Sequence, residues 1–291
     1  MAYSQVLNYI WTHPTNRHRK LRALCESVSW QVKKRLTGRP ADLDVFGSMK
    51  LRCYPDSRGA SMMVYTGGWY DYDDMHFVAR YLRPGDSVID VGANIGVYAL
   101  LMASLVGDTG RVVAFEPGRQ SFERLQENVR INGLSNVELS RAAVGETRGT
   151  VRFHQTQDVT NRIAVAGENL GIEEVPCIAL DEELTGQRFT LGKIDIEGAE
   201  MMAFRGARRM LADANPSVWL LELKDRLLKP FGTSSQEVAE LLDEAGYDLA
   251  IYEADDRKLS LITDPRYYDG NALAIHRSAA DLVRRRLSSE A

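Results

Sequence analysis

Residues 87–101 read SVIDVGANIGVYALL, an apolar strand that passes through a glycine-rich turn directly into an apolar helix. Few architectures accommodate such a unit. The turn sets backbone N–H groups and a helix N-terminus at the carboxyl edge of a sheet, which is where α/β folds hold nucleotide-like ligands. Gly92 and Gly96 allow close approach and positive φ in that turn. Strands are expected at 87–91, 111–115, 137–140, 192–196 and 218–223. They alternate with helices expected at 95–106, 119–132, 199–213 and 234–245. This alternation indicates an α/β domain with a mostly parallel sheet. Beyond it, YDLAIYEA and KLSLITD can pair across a turn, NALAIHR reads as a final strand, and AADLVRRRLSSEA as a frayed helix.

Ahead of the sheet, MKLRCYP and SMMVYTG flank the turn-rich DSRG and read as a β-hairpin within residues 45–66, followed by a helix in YDYDDMHFVARYL. Residues 17–40 carry Arg17, Arg19, Lys20, Arg22, Lys33, Lys34, Arg35 and Arg39 against the single acid Glu26. Leu21, Leu24, Val28, Val32 and Leu36 recur there at helical spacing. Such a basic amphipathic helix suits peripheral contact with an anionic membrane, or a lid packed on the main domain with its charges in water. The expected organisation is an N-terminal cap over 1–66, a ligand-binding domain over 67–280 and a tail over 281–291.

The net charge of −4 gives no global attraction to nucleic acid. Three scattered cysteines and five scattered histidines form neither a disulfide framework nor a metal-ligand spacing. The first twenty residues lack a basic start followed by an apolar run, and the longest apolar stretch, YALLMASLV, is far too short to span a bilayer. The cytoplasm is the expected compartment. Oligomeric state leaves no mark on the sequence.

Two acids sharpen the ligand. Asp90 precedes the turn in the pattern D-x-G-x-N-x-G through Gly92, Asn94 and Gly96, and Glu116 closes the second strand as AFEP. An acid at that second position meets the two hydroxyls of a ribose. A nicotinamide cofactor also wants that acid, but its pyrophosphate would be repelled by Asp90. S-adenosylmethionine carries no phosphate; its amino group and sulfonium are cationic and suit Asp90. The third strand ends at SRAAVGE, where the small Ala142 and Ala143 leave room for an adenine ring.

The segment KIDIEGAE, Lys193 to Glu200, ends a short strand with Asp195 and Glu197. This strand should lie beside the first one, across the switch point, and the neighbouring VWLLELK brings Glu222 to the same edge. Methyl transfer to oxygen requires an aligned acceptor and removal of its proton. A carboxylate can take the proton, or a bound divalent ion can lower the acceptor's pKa, and Asp195, Glu197 and Glu222 suit either route. Asp195 and Glu222 are the candidate oxygen ligands for Mg²⁺. Glu197 and Glu200 are also placed to cap the next helix. The Asn/Asp-Pro-Pro-aromatic turn of nucleobase amino methylation is replaced here by DIEG, and no Tyr-x-x-x-Lys hydride-relay motif is present.

The stretches LRPGDSVIDVGANIGVYALLMA, VVAFEPGRQSFERLQENVRING, RAAVGE and KIDIEGAEMMAFRGARRML resemble the FkbM family of S-adenosylmethionine-dependent methyltransferases, over roughly residues 70 to 225. The resemblance implies a class I Rossmann-like fold, a mostly parallel seven-stranded sheet with helices on both faces and an antiparallel last strand. It implies S-adenosylmethionine held by Asp90, Gly92, Asn94, Gly96 and Glu116; by their position Pro117, Ala142, Ala143 and Asp195 are further candidates beside it. Family members mostly methylate hydroxyls of sugars or polyketides, so a sugar, glycolipid or secondary-metabolite acceptor is expected. WQVKKRLTGRP also looks like the leader of some bacterial members. Substrate-facing candidates are His154, Gln157, Asn161 and Arg162 in the polar segment before the fourth strand, and the aromatic cluster Tyr65, Trp69, Tyr70 and Tyr72, which is more often core. His76 is a candidate base, although a lone helical histidine usually packs. A nicotinamide oxidoreductase and a non-catalytic cofactor-binding protein are the competing readings.

Overall fold

The computed structural model describes residues 3–155, 161–165 and 167–288. Two helices, α1 (Tyr3–Thr12) and α2 (Lys20–Thr37), lead into a hairpin, β1 (Ala41–Val45) and β2 (Met49–Cys53). Helices α3 (Arg58–Thr66) and α4 (Tyr72–Tyr81) follow. Then come β3 (Ser87–Val91), α5 (Val97–Val106), β4 (Arg111–Phe115), α6 (Arg119–Ile131) and β5 (Val137–Ser140). A small sheet holds β6 (Ala143–Val144), β7 (Gly149–His154), β8 (Arg162–Ile163) and β9 (Ile172–Ile178), and α7 (Leu180–Glu183) leaves it. The second half of the main sheet begins with β10 (Leu191–Ile194), α8 (Glu200–Arg205), α9 (Arg208–Ala212), β11 (Val218–Leu223), α10 (Asp225–Leu228) and α11 (Ser235–Glu244). It ends with β12 (Tyr247–Glu253), β13 (Lys258–Leu261), β14 (Gly270–His276) and α12 (Ala280–Ser288).

The main sheet has the order β13-β12-β14-β11-β10-β3-β4-β5. From β11 to β5 the pairings are parallel, and β14 inserts antiparallel between β11 and β12. The expected seven strands become eight because the YDLAIYEA–KLSLITD pairing adds β13 at the edge. The chain leaves β3 toward β4 and β5, returns, and lays β10 on the other side of β3, in register Lys193 opposite Asp90. The gap above that reversal is the switch point. One apolar layer, with Val88, Leu100 and Tyr81, fills the face under α4, α5 and the N-terminal elements, which contribute Ile10, Ala23 and Leu51 to it. A second, with Phe204, Trp219 and Leu242, fills the face under α8, α9 and α11.

Three local expectations change. SMMVYTG is not a hairpin arm but most of α3. The Ser57 hydroxyl accepts from the Ala60 amide at 3.1 Å, and Gly67 ends the helix at φ 60°, so a start and a stop signal override a β-rich composition. The hairpin lies one segment earlier, at β1 and β2. The single helix expected over 199–213 is two, α8 and α9, broken at Gly206, whose Cα passes so close to the chain that an added Cβ would sit 2.1 Å from the Gly145 carbonyl oxygen. The tail is not frayed over its helical part. Val283 and Leu287 are buried, Arg80 donates to the Leu287 carbonyl, and Arg286 pairs with Asp86 at 2.5 Å. The helix α12 therefore straddles the expected boundary at 280/281.

Candidate functional site

The carboxyl ends of β3, β4, β10 and β11 open into one cleft of about 480 Å³. The strand ends place Asp90, Gly92, Asn94, Glu116, Pro117, Asp195, Glu197 and Glu222 along it, and Ala142 and Ala143 close one side. Of the residues expected to hold the cofactor or act in catalysis at the strand ends, Gly96 is the one that does not line it. Gly96 stands at the N-terminus of α5, where its missing side chain leaves room for Leu125.

The glycine turn spends its own amides. Gly92 and Ala93 donate to the Phe115 carbonyl at 2.9 and 3.0 Å, and Asn94 donates to Glu116 Oε2 at 2.9 Å. Ile95 donates to the Asn94 side-chain oxygen and Gly96 to the Ala93 carbonyl, both at 2.8 Å. The expectation that these N–H groups point to a ligand is thus corrected: they fasten the turn to the second strand. Gly92 is obligatory there, since at φ 80° a Cβ would meet the Asp195 carbonyl oxygen at 2.0 Å. The turn presents carboxylates instead. Glu116 is fixed by the Asn94 amide and, at 2.7 Å, by that of Gly118. Burial pushes it up to about 7 against those two bonds. Asp90 is fully buried and neither oxygen reaches a hydrogen-bond donor, although the Ala99 amide tempers its charge from further off. Burial raises it to about 6, with Lys193 opposing the shift and Asp195 adding to it.

Lys193 lies at the centre, 4% exposed. Its Nζ is 2.9 Å from Asp195 Oδ2 and 4.7 Å from the centre of the Tyr98 ring. Burial works against its charge, but Asp195, Asp90 and Asp71 together hold its pKa above the ordinary lysine value. Glu222 accepts a hydrogen bond from Lys224, and burial, then Asp195, raises it. Both candidate Mg²⁺ ligands are therefore held by ammonium groups, and no cluster of three or more His, Cys, Asp or Glu suited to a metal occurs among the described residues. This donor set does not fit Mg²⁺, whose octahedral shell needs carboxylate oxygens free to turn toward it.

Glu197 follows β10 in the left-handed region, at φ 56°, with Gly198 at 106°. A non-glycine residue held there costs of order 1–3 kcal/mol and persists where the surroundings over-determine it. Burial, then repulsion from Asp195 and Glu222, raises Glu197 to about 7, with Lys224 and Arg226 opposing. The turn is braced from behind by Glu200, whose Oε1 accepts from the Ile196 and Gly198 amides at 3.1 and 3.2 Å. Of the two acids placed to cap the next helix, Glu200 is the one spent on backbone amides, and Glu197 faces the cleft.

Glu200 gives a prediction. Burial raises its pKa to about 8, above the usual glutamate range. The folded state then binds a proton that the unfolded state releases, so its contribution to stability falls as pH rises from about 4.5 to about 8. Glu200→Gln keeps an acceptor oxygen without a titration and should gain on the wild type between pH 5.5 and 8.5. Glu200→Ala should cost about 2–4 kcal/mol at both, because two buried amides lose their acceptor. Melting curves at the two pH values check this, and a Gln variant that tracks the wild type at both sinks the assignment.

Reading the sequence alone misses Asp71, Tyr98, Asp74 and Asn271 near the centre. The Tyr98 hydroxyl donates to Asp71 at 3.2 Å, and Asn271 donates to Asp74 at 2.7 Å. Burial, then Asp74, lifts Asp71 to about 7. The acid-rich YDYDD, which runs into the first turn of α4, was the available signal. Tyr70 lines the cleft, as do Asn161 and, from the small sheet, Phe153 and Ile163. Arg162 is taken by Glu168 at 2.6 and 2.9 Å, Gln157 lies outside the described residues, and His154 stands at the end of β7, outside the cleft lining. Tyr65 is core. His76 packs between Trp69 and Tyr72, with ring centres 4.5 and 4.2 Å away, and serves the structure rather than the cleft.

Residues 90–249 match the Methyltransferase FkbM domain model, and the chain belongs to that family. Methyltransferase 1 of Beauveria bassiana is 26% identical over 42% of this chain and 59% of its own length. The hexuronic acid methyltransferase AglP of Haloferax volcanii is 26% identical over 60% of this chain and 69% of its own. Among solved structures, methyltransferase FkbM from Methylobacillus flagellatus aligns with 88% of this chain and 59% of its own at 15% identity, TM-score 0.43. The chain thus spans less than two-thirds of the first relative in each comparison.

Proposed function

We propose that the protein is an S-adenosylmethionine-dependent O-methyltransferase acting on a hydroxyl of a sugar-type acceptor. The observation that carries this is the pairing of an amide-spent glycine turn with carboxylates around the cleft. A dinucleotide needs free turn amides for its pyrophosphate, whereas here Gly92, Ala93, Asn94, Ile95 and Gly96 all donate within the protein. A cofactor that is cationic and phosphate-free suits the acids that remain. Asp90, buried with no full hydrogen bond, is placed for the cationic end, and Glu116 for the ribose hydroxyls.

When bound, S-adenosylmethionine supplies an electrophilic methyl group on sulfur. Glu197, with a pKa near the working pH, takes the proton of the acceptor hydroxyl as the new bond forms. Asp195 is oriented by Lys193, and Glu222 by Lys224, so both shape the field around the methyl path rather than move protons. Arg226 lines the same cleft and offers positive charge to an acidic acceptor. Similarity to a protein named for methylating a hexuronic acid supports a sugar of that kind.

Transfer of a labelled methyl group to uronic-acid and neutral sugars tests the reading. Label in an alkali-stable ether supports it. Label in an alkali-labile ester, or on nitrogen, overturns the hydroxyl assignment.

A further inference from the structure

The apolar stripe of α2 faces the wrong way for a packed helix. Ala23, Ser27 and Trp30 form its buried face. Leu21, Cys25, Val28, Val32 and Leu36 lie on roughly the opposite side at about 100° per residue, and all are exposed, Leu21 by 74% and Leu36 by 80%. The adjoining α1 also exposes Leu7 and Trp11, with Lys20 Nζ 4.9 Å above the Trp11 ring. Among the described residues no helix is long and apolar enough to cross a membrane.

The charges along α2 beside this stripe are mostly basic, with Glu26 on the helix and Asp42 of β1 as the nearby acids. Arg22 and Lys33 flank it on one side and Arg35 on the other. The one acid in the segment, Glu26, is occupied by Arg19 and Arg22, and Arg17 is paired with Asp255. Lys20, Lys33, Arg35 and Arg39 make no salt bridge among the described residues. A second copy seated stripe to stripe would set these basic flanks against each other, which like-charge repulsion opposes.

We propose that the face formed by α1 and α2 docks on an anionic lipid bilayer. Leucine, valine and tryptophan side chains enter the headgroup boundary while lysine and arginine reach the phosphates. The docking would also orient the cleft. Trp30 on α2 donates to Ser61 of α3 at 3.0 Å, and α3 carries Gly59, Met62 and Met63 into the cleft lining. The cleft thus stands one helix away from the docked face, within reach of an acceptor borne on the bilayer.

Vesicle flotation of the full chain tests the docking independently of any activity. The wild type should float with phosphatidylglycerol-containing vesicles, float poorly with pure phosphatidylcholine, and detach as salt rises. The triple variant Leu21→Ser/Val32→Ser/Leu36→Ser and the pair Lys33→Glu/Arg35→Glu should each lose roughly tenfold or more in binding with unchanged melting temperature, since every altered side chain is solvent-facing. Absence of flotation with anionic vesicles overturns the proposal. So does flotation of both variants at the wild-type level, or a dimer in solution that the serine substitutions dissolve.

Discussion

Replacing Glu197 by Gln lowers kcat by about 10²–10⁴-fold while the affinity for S-adenosylmethionine stays within roughly twofold of the wild type. The split follows from position. Glu197 lies past the end of β10 in the lining of the cleft, and its carboxylate is raised to about 7 by burial beside Asp195 and Glu222. A base with that pKa is deprotonated often enough to accept a proton at neutral pH and basic enough to take one from a hydroxyl during transfer. Below about pH 7 the wild-type rate should fall tenfold per unit as the group protonates, and the Gln variant should lose that limb. Rapid-quench measurement of the transfer step reads both effects. An unchanged kcat contradicts the role of base given to Glu197.

Asp90→Asn weakens S-adenosylmethionine binding by about ten- to a hundredfold, the worth of roughly 1.5–3 kcal/mol for a charged contact in a buried site. The same residue sets a pH dependence of known sign. In the free protein its pKa is raised to about 6, chiefly by burial. A cationic ligand selects the ionised form. Below about pH 6 binding must therefore expel a proton, and Kd rises about tenfold per unit of acidification. The asparagine variant has no proton to expel and should show a flat profile over that range. Titration calorimetry in buffers of different ionisation heat reports the proton directly; a wild type that binds equally at pH 5 and pH 7.5 contradicts the role given to Asp90.

What the sequence made legible follows from how each element is covered. Strands β3, β4 and β11 are buried on both faces and appear as uninterrupted apolar runs, so acids at their ends stand out, and Asp90, Glu116 and Glu222 were visible for that reason. Asp195 and Glu197 stood out likewise, and all five converge on one cleft. Lys193 does not stand out in the same way, because a lysine two residues before an acid can equally be exposed; its burial among Asp195, Asp90 and Asp71 comes from packing of distant segments. The helix α3 was hidden because methionine, valine and tyrosine suit a strand as well, and only the Ser57 cap and Gly67 decide between them. The small sheet was hidden because β7 and β9 bury few residues, among them Phe153, Val175 and Cys177, while GTVRFH and IEEVPCI look polar as whole segments. The stripe on α2 was legible as a period but not as a direction. Periodicity says which residues share a face; which face finds a partner is settled by Trp30 packing against α3.

The central claim is that this cleft is built for a cationic, phosphate-free nucleoside. Titration of the purified chain with S-adenosylmethionine and, separately, with NAD tests it most directly. Saturable heat from the first, weakened by Asp90→Asn, with none from the second, is the result expected of a turn whose amides are spent and whose acids remain. Binding of NAD, or silence from S-adenosylmethionine at neutral pH, would contradict the account.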